Sequence, residues 1–112
     1  MSSSGESSQS SISLPSEVTL SQATKLAIKT SLPICFYFYI DSCKGKVSIA
    51  KNSNDKKIVF KNLDEHTSPI SNIYKEGSEY IIVTRNTIYI ISSNCKVSKM
   101  PEEIDLELED TE

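Results

Sequence analysis

The sequence is poor in the residues that build most metal and catalytic sites. In 112 residues it has one His, no Trp and three Cys. The cysteines, Cys35, Cys43 and Cys95, include no C-x-x-C pair, so the ligand spacing of a structural zinc site is missing. The chain also has no Gly-rich phosphate loop and no nucleophile elbow. We therefore expect no metal, no cofactor and no enzymatic activity.

One acid–base cluster stands out, Asp64-Glu65-His66. General acid–base catalysis needs a His that meets a carboxylate within a cleft. Here the three residues are consecutive among turn-forming residues, so their side chains are expected to diverge. A structural turn is the favoured interpretation of this segment.

Long apolar runs are missing as well. No stretch approaches the roughly 18–20 apolar residues that cross a bilayer as a helix. The first eleven residues are polar and no apolar segment of a signal peptide follows them. We expect an intracellular protein that is not secreted, with three buried and reduced thiols.

Charge is distributed unevenly along the chain. The formal net charge is −3, yet all seven charged residues from Glu102 onward are acidic, which leaves residues 1–101 with a balance of +4. Arg85 is the only arginine. Six lysines form a basic segment: Lys44, Lys46, Lys51, Lys56, Lys57 and Lys61. Lysines neutralise phosphates without reading bases, so one hypothesis is a nonspecific, salt-sensitive nucleic-acid binder.

The composition predicts three regions. Residues 1–13 are a Ser-rich arm that is expected to be disordered, residues 14–100 a single β-rich domain, and residues 101–112 an acidic tail. In the tail Ile104, Leu106 and Leu108 alternate with acidic residues. This period of two favours a strand that adds to an open sheet edge, or a segment that is disordered until a partner binds.

One helix is predicted between Leu14 and Leu32. Thr19 and Gln22 fit a capping box at its start, and Pro33 is expected to end it. The apolar residues recur at helical spacing, which predicts a stripe that packs on a sheet: Leu20, Ala23, Leu26 and Ala27.

The segment from Glu79 to Ser92 predicts a β-hairpin that turns at Arg85-Asn86. A two-residue turn would place Val83 opposite Ile88 and Ile81 opposite Ile90 on one aliphatic face. The other face would be mixed and half wet, with Tyr80 and Tyr89 as candidate partner-binding residues.

Ile34–Ile40 is the most hydrophobic stretch, Ile-Cys-Phe-Tyr-Phe-Tyr-Ile. A near-continuous apolar run is typical of a central strand that is buried on both faces. The alternative is a stacking platform for single-stranded nucleic acid, which uses such aromatic residues when they are exposed beside basic ones.

Together these patterns predict a β-rich α+β domain, with one N-terminal helix on a small antiparallel sheet or partly open barrel of about five or six strands. The favoured function is a non-enzymatic interaction or structural module that binds a protein partner or itself through a sheet edge or face. The candidate partner-binding residues are Tyr80, Tyr89, Ile104, Leu106 and Leu108.

Three stretches in combination support a resemblance. They are the helix that runs into Leu32-Pro33-Ile34, the segment Asp64–Ile70, and Glu79–Ile90. Over about residues 20–92 the chain resembles small proteins encoded by nucleocytoplasmic large DNA viruses. The resemblance implies a virus-encoded protein in the host cytoplasm or the virion, and it implies no catalytic residues.

Overall fold

The fold is that of a computed structural model, which describes residues 14–110 and the side chains of residues 14–108. The predicted disorder of residues 1–13 lies outside the described residues. The described part has three helices and eight strands: α1 Glu17–Thr30, β1 Ile34–Cys35, α2 Tyr39–Cys43, β2 Ser48–Lys51, β3 Lys57–Asn62, β4 Glu65–His66, β5 Ile70–Glu76, β6 Glu79–Thr84, β7 Ile88–Ser92, β8 Lys96–Lys99 and α3 Glu102–Asp110.

The predicted α+β, β-rich class is confirmed, and its strands form two four-stranded sheets. The first sheet has the order β1-β7-β6-β5 and the second β4-β3-β2-β8. Each sheet contains one parallel pair, β1 with β7 and β2 with β8, beside its antiparallel pairs. Both parallel pairs join strands that are far apart in the chain. Hydrophobic alternation within a segment does not predict such a pairing.

The β6–β7 hairpin has the predicted register. Val83 pairs with Ile88 and Ile81 with Ile90, and the Thr84 amide donates to the Thr87 carbonyl at 2.9 Å. The Thr84 hydroxyl oxygen accepts from the Thr87 amide at 3.2 Å, so this side chain helps to close the turn.

The core has three layers of apolar contact. On the outer face of the first sheet, Ala23 of α1 packs with Ile81, Val83, Ile88 and Ile90, as the predicted aliphatic face requires. A second cluster joins the two sheets through Val47, Ile49, Phe38, Val59, Ile82 and Ile91. A third lies on the outer face of the second sheet and contains Ala50, Ile58, Met100, Ile104 and Leu108.

The start of α1 differs from the predicted capping box. The N-cap is Ser16, whose hydroxyl oxygen accepts from the Thr19 amide at 3.2 Å. Thr19 lies three residues inside, fully buried, and its hydroxyl turns towards β6 instead. A Ser and a Thr at this spacing are both acceptable caps, so residue preference alone does not choose between them.

The prediction of a central strand over Ile34–Ile40 was wrong. Only Ile34 and Cys35 pair, with β7 and at the edge of the sheet. The chain then turns, the Tyr39 amide donates to the Phe36 carbonyl at 3.0 Å, and α2 begins. An apolar run without a period does not distinguish a strand from a short helical turn.

The predicted strand in the acidic tail was also wrong, because Glu102–Asp110 forms α3. Ile104 and Leu108 are four residues apart, so both face the second sheet and are buried there. Three acidic residues in the first turn also suit the positive end of a helix. Residues 101–108 therefore belong to the folded domain that was expected to end at residue 100.

Candidate interaction surface and basic cavity

Three large apolar side chains are exposed on the segment that leads into α2. Phe36 is 47% exposed, Tyr37 55% and Ile40 40%. Their neighbours Phe38 and Tyr39 are buried, Phe38 between the sheets and Tyr39 against the first sheet. We call the surface formed by Phe36, Tyr37 and Ile40 the α2 corner.

Charged side chains hold the α2 corner to the second sheet. Lys61 Nζ lies 2.8 Å from Asp41 Oδ2 and 3.2 Å from Glu65 Oε1. The Tyr37 hydroxyl donates to Glu65, and Lys61 Nζ lies 5.8 Å from the centre of the Tyr37 ring. Asn62 Nδ2 donates to Glu65 at 3.0 Å. Several polar contacts therefore fix the α2 corner to the second sheet.

These contacts shift the pKa values of the network. The Tyr37 hydroxyl bond lowers the pKa of Glu65, with help from Asn62 and Lys61. The Lys61 bond lowers the pKa of Asp41, and the charges of Lys46 and Lys44 add to the effect. The pKa of Lys61 is raised by Asp41 and then by Glu65. All three groups are thus ionised at neutral pH.

Beside this network lies a cavity of about 230 Å³ that has three lysines in its wall. We call it the basic cavity. Its lining residues are Gly45, Lys46, Val47, Ser48, Phe60, Lys61, Asn94 and Lys96. Lys96 reaches it because β8 runs parallel to β2 and pairs Lys96 with Ser48. Gly45 has a φ of +75°, a conformation that glycine adopts without strain.

The six lysines of the basic segment are not gathered in one place. Lys46 and Lys61 line the basic cavity, and Lys44 acts on nearby Asp41. Lys51 and Lys57 pair with each other at the opposite end of the β2–β3 hairpin, with Lys56 in the connecting loop. Lys51 also forms an ion pair with Asp55 at 3.0 Å. The basic segment predicted from the sequence does not include Lys96, although Lys96 lies with Lys46 and Lys61 at the basic cavity.

Four of the five predicted partner-binding residues are used inside the fold. Tyr80 and Tyr89 pack at the cluster between the sheets, where Tyr89 meets the Phe38 ring at a centroid distance of 5.6 Å. The face expected to be half wet is thus largely covered. Ile104 and Leu108 are buried under α3, whereas Leu106 is 55% exposed.

Glu79 is a buried carboxylate, only 7% exposed, at the start of β6. It accepts three hydrogen bonds, from the Thr19 hydroxyl at 2.6 Å, the Ser16 amide at 3.1 Å and the Tyr39 hydroxyl at 3.1 Å. Burial alone would raise the pKa of Glu79, but these bonds outweigh it and lower the pKa. The carboxylate thus joins α1, α2 and β6, and we assign it a structural role.

The Asp64-Glu65-His66 segment is a turn followed by β4, and its Glu65 and His66 side chains have separate partners. The Asp64 amide donates to Asn62 Oδ1 at 2.9 Å, and Glu65 belongs to the network at the α2 corner. The His66 ring lies 3.1 Å from the Thr67 carbonyl oxygen. The absence of enzymatic activity stays a prediction.

The three thiols are free, but they are less buried than expected. Cys43 is exposed, and Cys35 and Cys95 are half-buried. Burial, together with nearby Cys43, raises the pKa of the Cys95 thiol to about 11. Within the part of the chain that the structure describes, no three His, Cys, Asp or Glu side chains are grouped so that they could hold a metal ion.

The comparisons with known proteins add no relative: no family model, no curated protein and no solved structure matches this chain. The resemblance to viral proteins therefore stays a prediction. None of the described helices is long and apolar enough to cross a membrane.

Proposed function

We propose that this protein is a non-enzymatic interaction module that binds a protein, either a partner or a second copy, through the α2 corner. The observation that supports it is the exposure of Phe36, Tyr37 and Ile40 on a segment that is fixed by buried neighbours and ion pairs. Exposed apolar side chains with a charged rim are typical of protein-binding sites. Aromatic residues that need little ordering on binding are common binding hot spots.

The fixed geometry matters for affinity. A partner that covers the α2 corner would remove apolar area from water without first having to order the loop. The Lys61–Asp41 and Lys61–Glu65 pairs would form a polar rim beside the apolar residues. The tyrosine hydroxyl is already bonded to Glu65, so covering its ring leaves no new buried donor without an acceptor.

Site-specific photo-cross-linking tests this proposal. A photoreactive phenylalanine analogue replaces Phe36, and in a control it replaces Ile28, which is exposed on α1. We expect one defined adduct from position 36 and none from position 28: in purified protein if the module binds a second copy, and only in an extract of cells that make it if the module binds another protein. A Tyr37→Ser/Ile40→Ser double variant should abolish the adduct. Equal adducts from both positions, or none, would contradict the proposal.

A second candidate is binding of single-stranded nucleic acid, which one specific observation favours. The exposed Tyr37 ring lies beside the Lys61 ammonium, with Lys44 and Lys46 nearby. Bases stack on such rings while lysines neutralise phosphates.

Fluorescence anisotropy with a labelled oligothymidylate distinguishes this candidate. We expect affinity that falls steeply with salt, and a larger loss for Lys44→Gln/Lys46→Gln than for the control Lys51→Gln/Lys57→Gln. Affinity that is independent of salt, or an equal loss for both lysine pairs, would exclude the α2 corner as a nucleic-acid site.

A further inference from the structure

We propose that the basic cavity is a binding site for a phosphate monoester dianion. The proposal goes beyond the α2 corner and does not depend on it, because Ser48, Asn94 and Lys96 belong to β2, the β7–β8 turn and β8. Only Lys61 is shared by the two sites, since it contacts Asp41 and Glu65 and also lines the cavity.

Charge at the basic cavity supports the proposal. Three lysines contribute to the wall of this one small cavity, and like charges at short range repel each other. Asp41 and Glu65 neutralise Lys61 directly, but neither Lys46 nor Lys96 forms an ion pair with any residue that the structure describes. The cavity wall therefore keeps an excess of positive charge that a bound anion would compensate.

Polar groups accompany the lysines in the cavity wall. The Ser48 hydroxyl lies 3.0 Å from the Ser98 hydroxyl, so one of the two hydrogens remains for another acceptor. Asn94 adds a side-chain amide to the cavity wall. Lysine is a common phosphate ligand that acts as a point charge, and hydroxyl and amide donors fix the remaining oxygens.

The size of the basic cavity suits a small anion. Pockets that enclose a whole drug-sized ligand have volumes of about 300–1,000 Å³. At about 230 Å³ this cavity is smaller, which suits a single charged group. Phe60 forms an apolar part of the wall, and no Cβ projects from Gly45.

The charge of the cavity favours a monoester over a diester. A phosphate monoester has a second pKa of about 6 and so carries nearly two charges at pH 7, whereas a diester carries one. Lys46 and Lys96, the two lining lysines that have no ion pair among the described residues, gain more from the dianion. The shared chemistry is a terminal phosphoryl group, whether on a small molecule or on a phosphorylated side chain.

The test is titration of the ¹⁵N-labelled full-length protein, followed by amide chemical shifts at low salt. The probes are O-phosphoserine, a phosphoserine-containing peptide, and an oligothymidylate without a terminal phosphate. We expect saturable shifts around Ser48, Asn94 and Lys96 with O-phosphoserine at pH 7.5, and weaker binding at pH 5.5. Equal affinity per phosphate for the oligothymidylate would overturn the monoester assignment.

Two matched double variants test whether O-phosphoserine binds at the basic cavity. The double variant Lys46→Gln/Lys96→Gln should weaken O-phosphoserine binding by about tenfold or more, because each of the two substitutions removes a charged hydrogen-bond donor. Lys25→Gln/Lys29→Gln removes the same charge from α1 and should leave the affinity unchanged. No saturable shift, or the same loss in both double variants, would overturn the proposal. Tighter binding of the peptide than of the amino acid would identify a phosphorylated protein as the source.

Discussion

The two outer faces of the sheets are each covered by a helix, but the helices are attached in different ways. α1 has fourteen residues, a side-chain cap at Ser16 and a carbonyl at Ala27 that accepts from Ser31. It is further fixed by the hydrogen bonds of Ser16 and Thr19 to Glu79. α3 has nine residues, and over its described side chains, residues 102–108, Ile104 and Leu108 pack on the second sheet while Asp105 accepts from the Asn52 side chain at 3.0 Å.

The difference predicts an order of detachment. Apolar burial attracts a helix to a sheet without fixing its orientation, whereas buried hydrogen bonds lose free energy whenever their groups separate. α1 must break a buried network to leave the first sheet. The described side chains of α3 contribute apolar burial and the half-buried Asp105 bond, so we expect the α3 amides to exchange with solvent before those of α1.

Removal of α3 is expected to have the largest effect on the free energy of unfolding. A chain that ends at Met100 loses the burial of Ile104 and Leu108 and exposes Ala50 and Ile58. Each buried aliphatic side chain contributes about 1.5–3 kcal/mol, so the free energy of unfolding should fall by about 3–6 kcal/mol in a urea titration. A chain that ends at Leu108 keeps both residues and is the control. Equal midpoints would show that α3 is not part of the folded core.

The residues after Met100 contribute both negative charge and core side chains. Deleting everything after Met100 removes negative charge and core residues together. Any gain in nucleic-acid binding by that chain would then have two explanations. Glu103→Gln and Glu107→Gln change the charge of exposed residues and leave the apolar contacts intact.

The buried network under α1 gives the next effect. Glu79→Ala leaves the Thr19 and Tyr39 hydroxyls and the Ser16 amide without their acceptor. An unsatisfied buried group costs about 1–3 kcal/mol, and the Thr19 hydroxyl keeps its contact with the Ser16 hydroxyl, so the two other groups give an expected loss of about 2–6 kcal/mol in the same titration. Tyr80→Phe at the neighbouring half-buried position keeps the packing between the sheets and should leave exchange at the start of α1 unchanged, while Glu79→Ala should speed it. Slow exchange in both variants would contradict the network.

The same carboxylate predicts a pH dependence. Because the folded state lowers the pKa of Glu79, its ionised form stabilises the protein above the unfolded pKa of about 4.3. That contribution is lost as the pH falls through the lowered pKa. The stability difference between wild type and Glu79→Gln should therefore shrink between pH 6 and pH 3. A difference that stays constant over this range would mean that Glu79 is not ionised in the fold.

The α1 side of the molecule was predictable and the α3 side was not, for a physical reason. The stripe of Leu20, Ala23 and Leu26 fits only a helical period. Val83 and Ile88 belong to two alternating segments with a short turn between them, which is the pattern of a hairpin. In contrast, Ile104, Leu106 and Leu108 fit a period of two, while Ile104 and Leu108 alone also fit a helix. The choice between strand and helix depends on the apolar face of the second sheet, against which Ile104 and Leu108 pack.

The candidate sites depend on the same kind of information. The α2 corner is exposed because the chain turns after Cys35, and a run without a period does not predict that turn. The basic cavity needs Lys96, which is 35 residues from Lys61 and reaches it through the parallel pairing of β2 with β8. Parallel pairing between distant strands has no local sequence signal.

The cap at the start of α1 gives a smaller effect. Ser16→Ala removes the hydroxyl that accepts from the Thr19 amide and should cost about 0.5–2 kcal/mol. Ser21→Ala, at an exposed position in the same helix, is the control and should change little. If both substitutions shift the thermal midpoint equally, the cap at Ser16 does not hold the start of α1.

The smallest effect is expected from Asp105→Ala, which removes the acceptor of the Asn52 side-chain bond. Asn52 Oδ1 still accepts from the Asn54 and Lys56 amides, so the loop keeps its shape. A half-buried hydrogen bond contributes about 0.5–1.5 kcal/mol, and the loss should appear as faster exchange confined to α3. Glu102→Ala, which is exposed in the first turn of α3, is the control. Faster exchange that extended to α1 would show that the two outer helices are coupled through the sheets and are not independent covers.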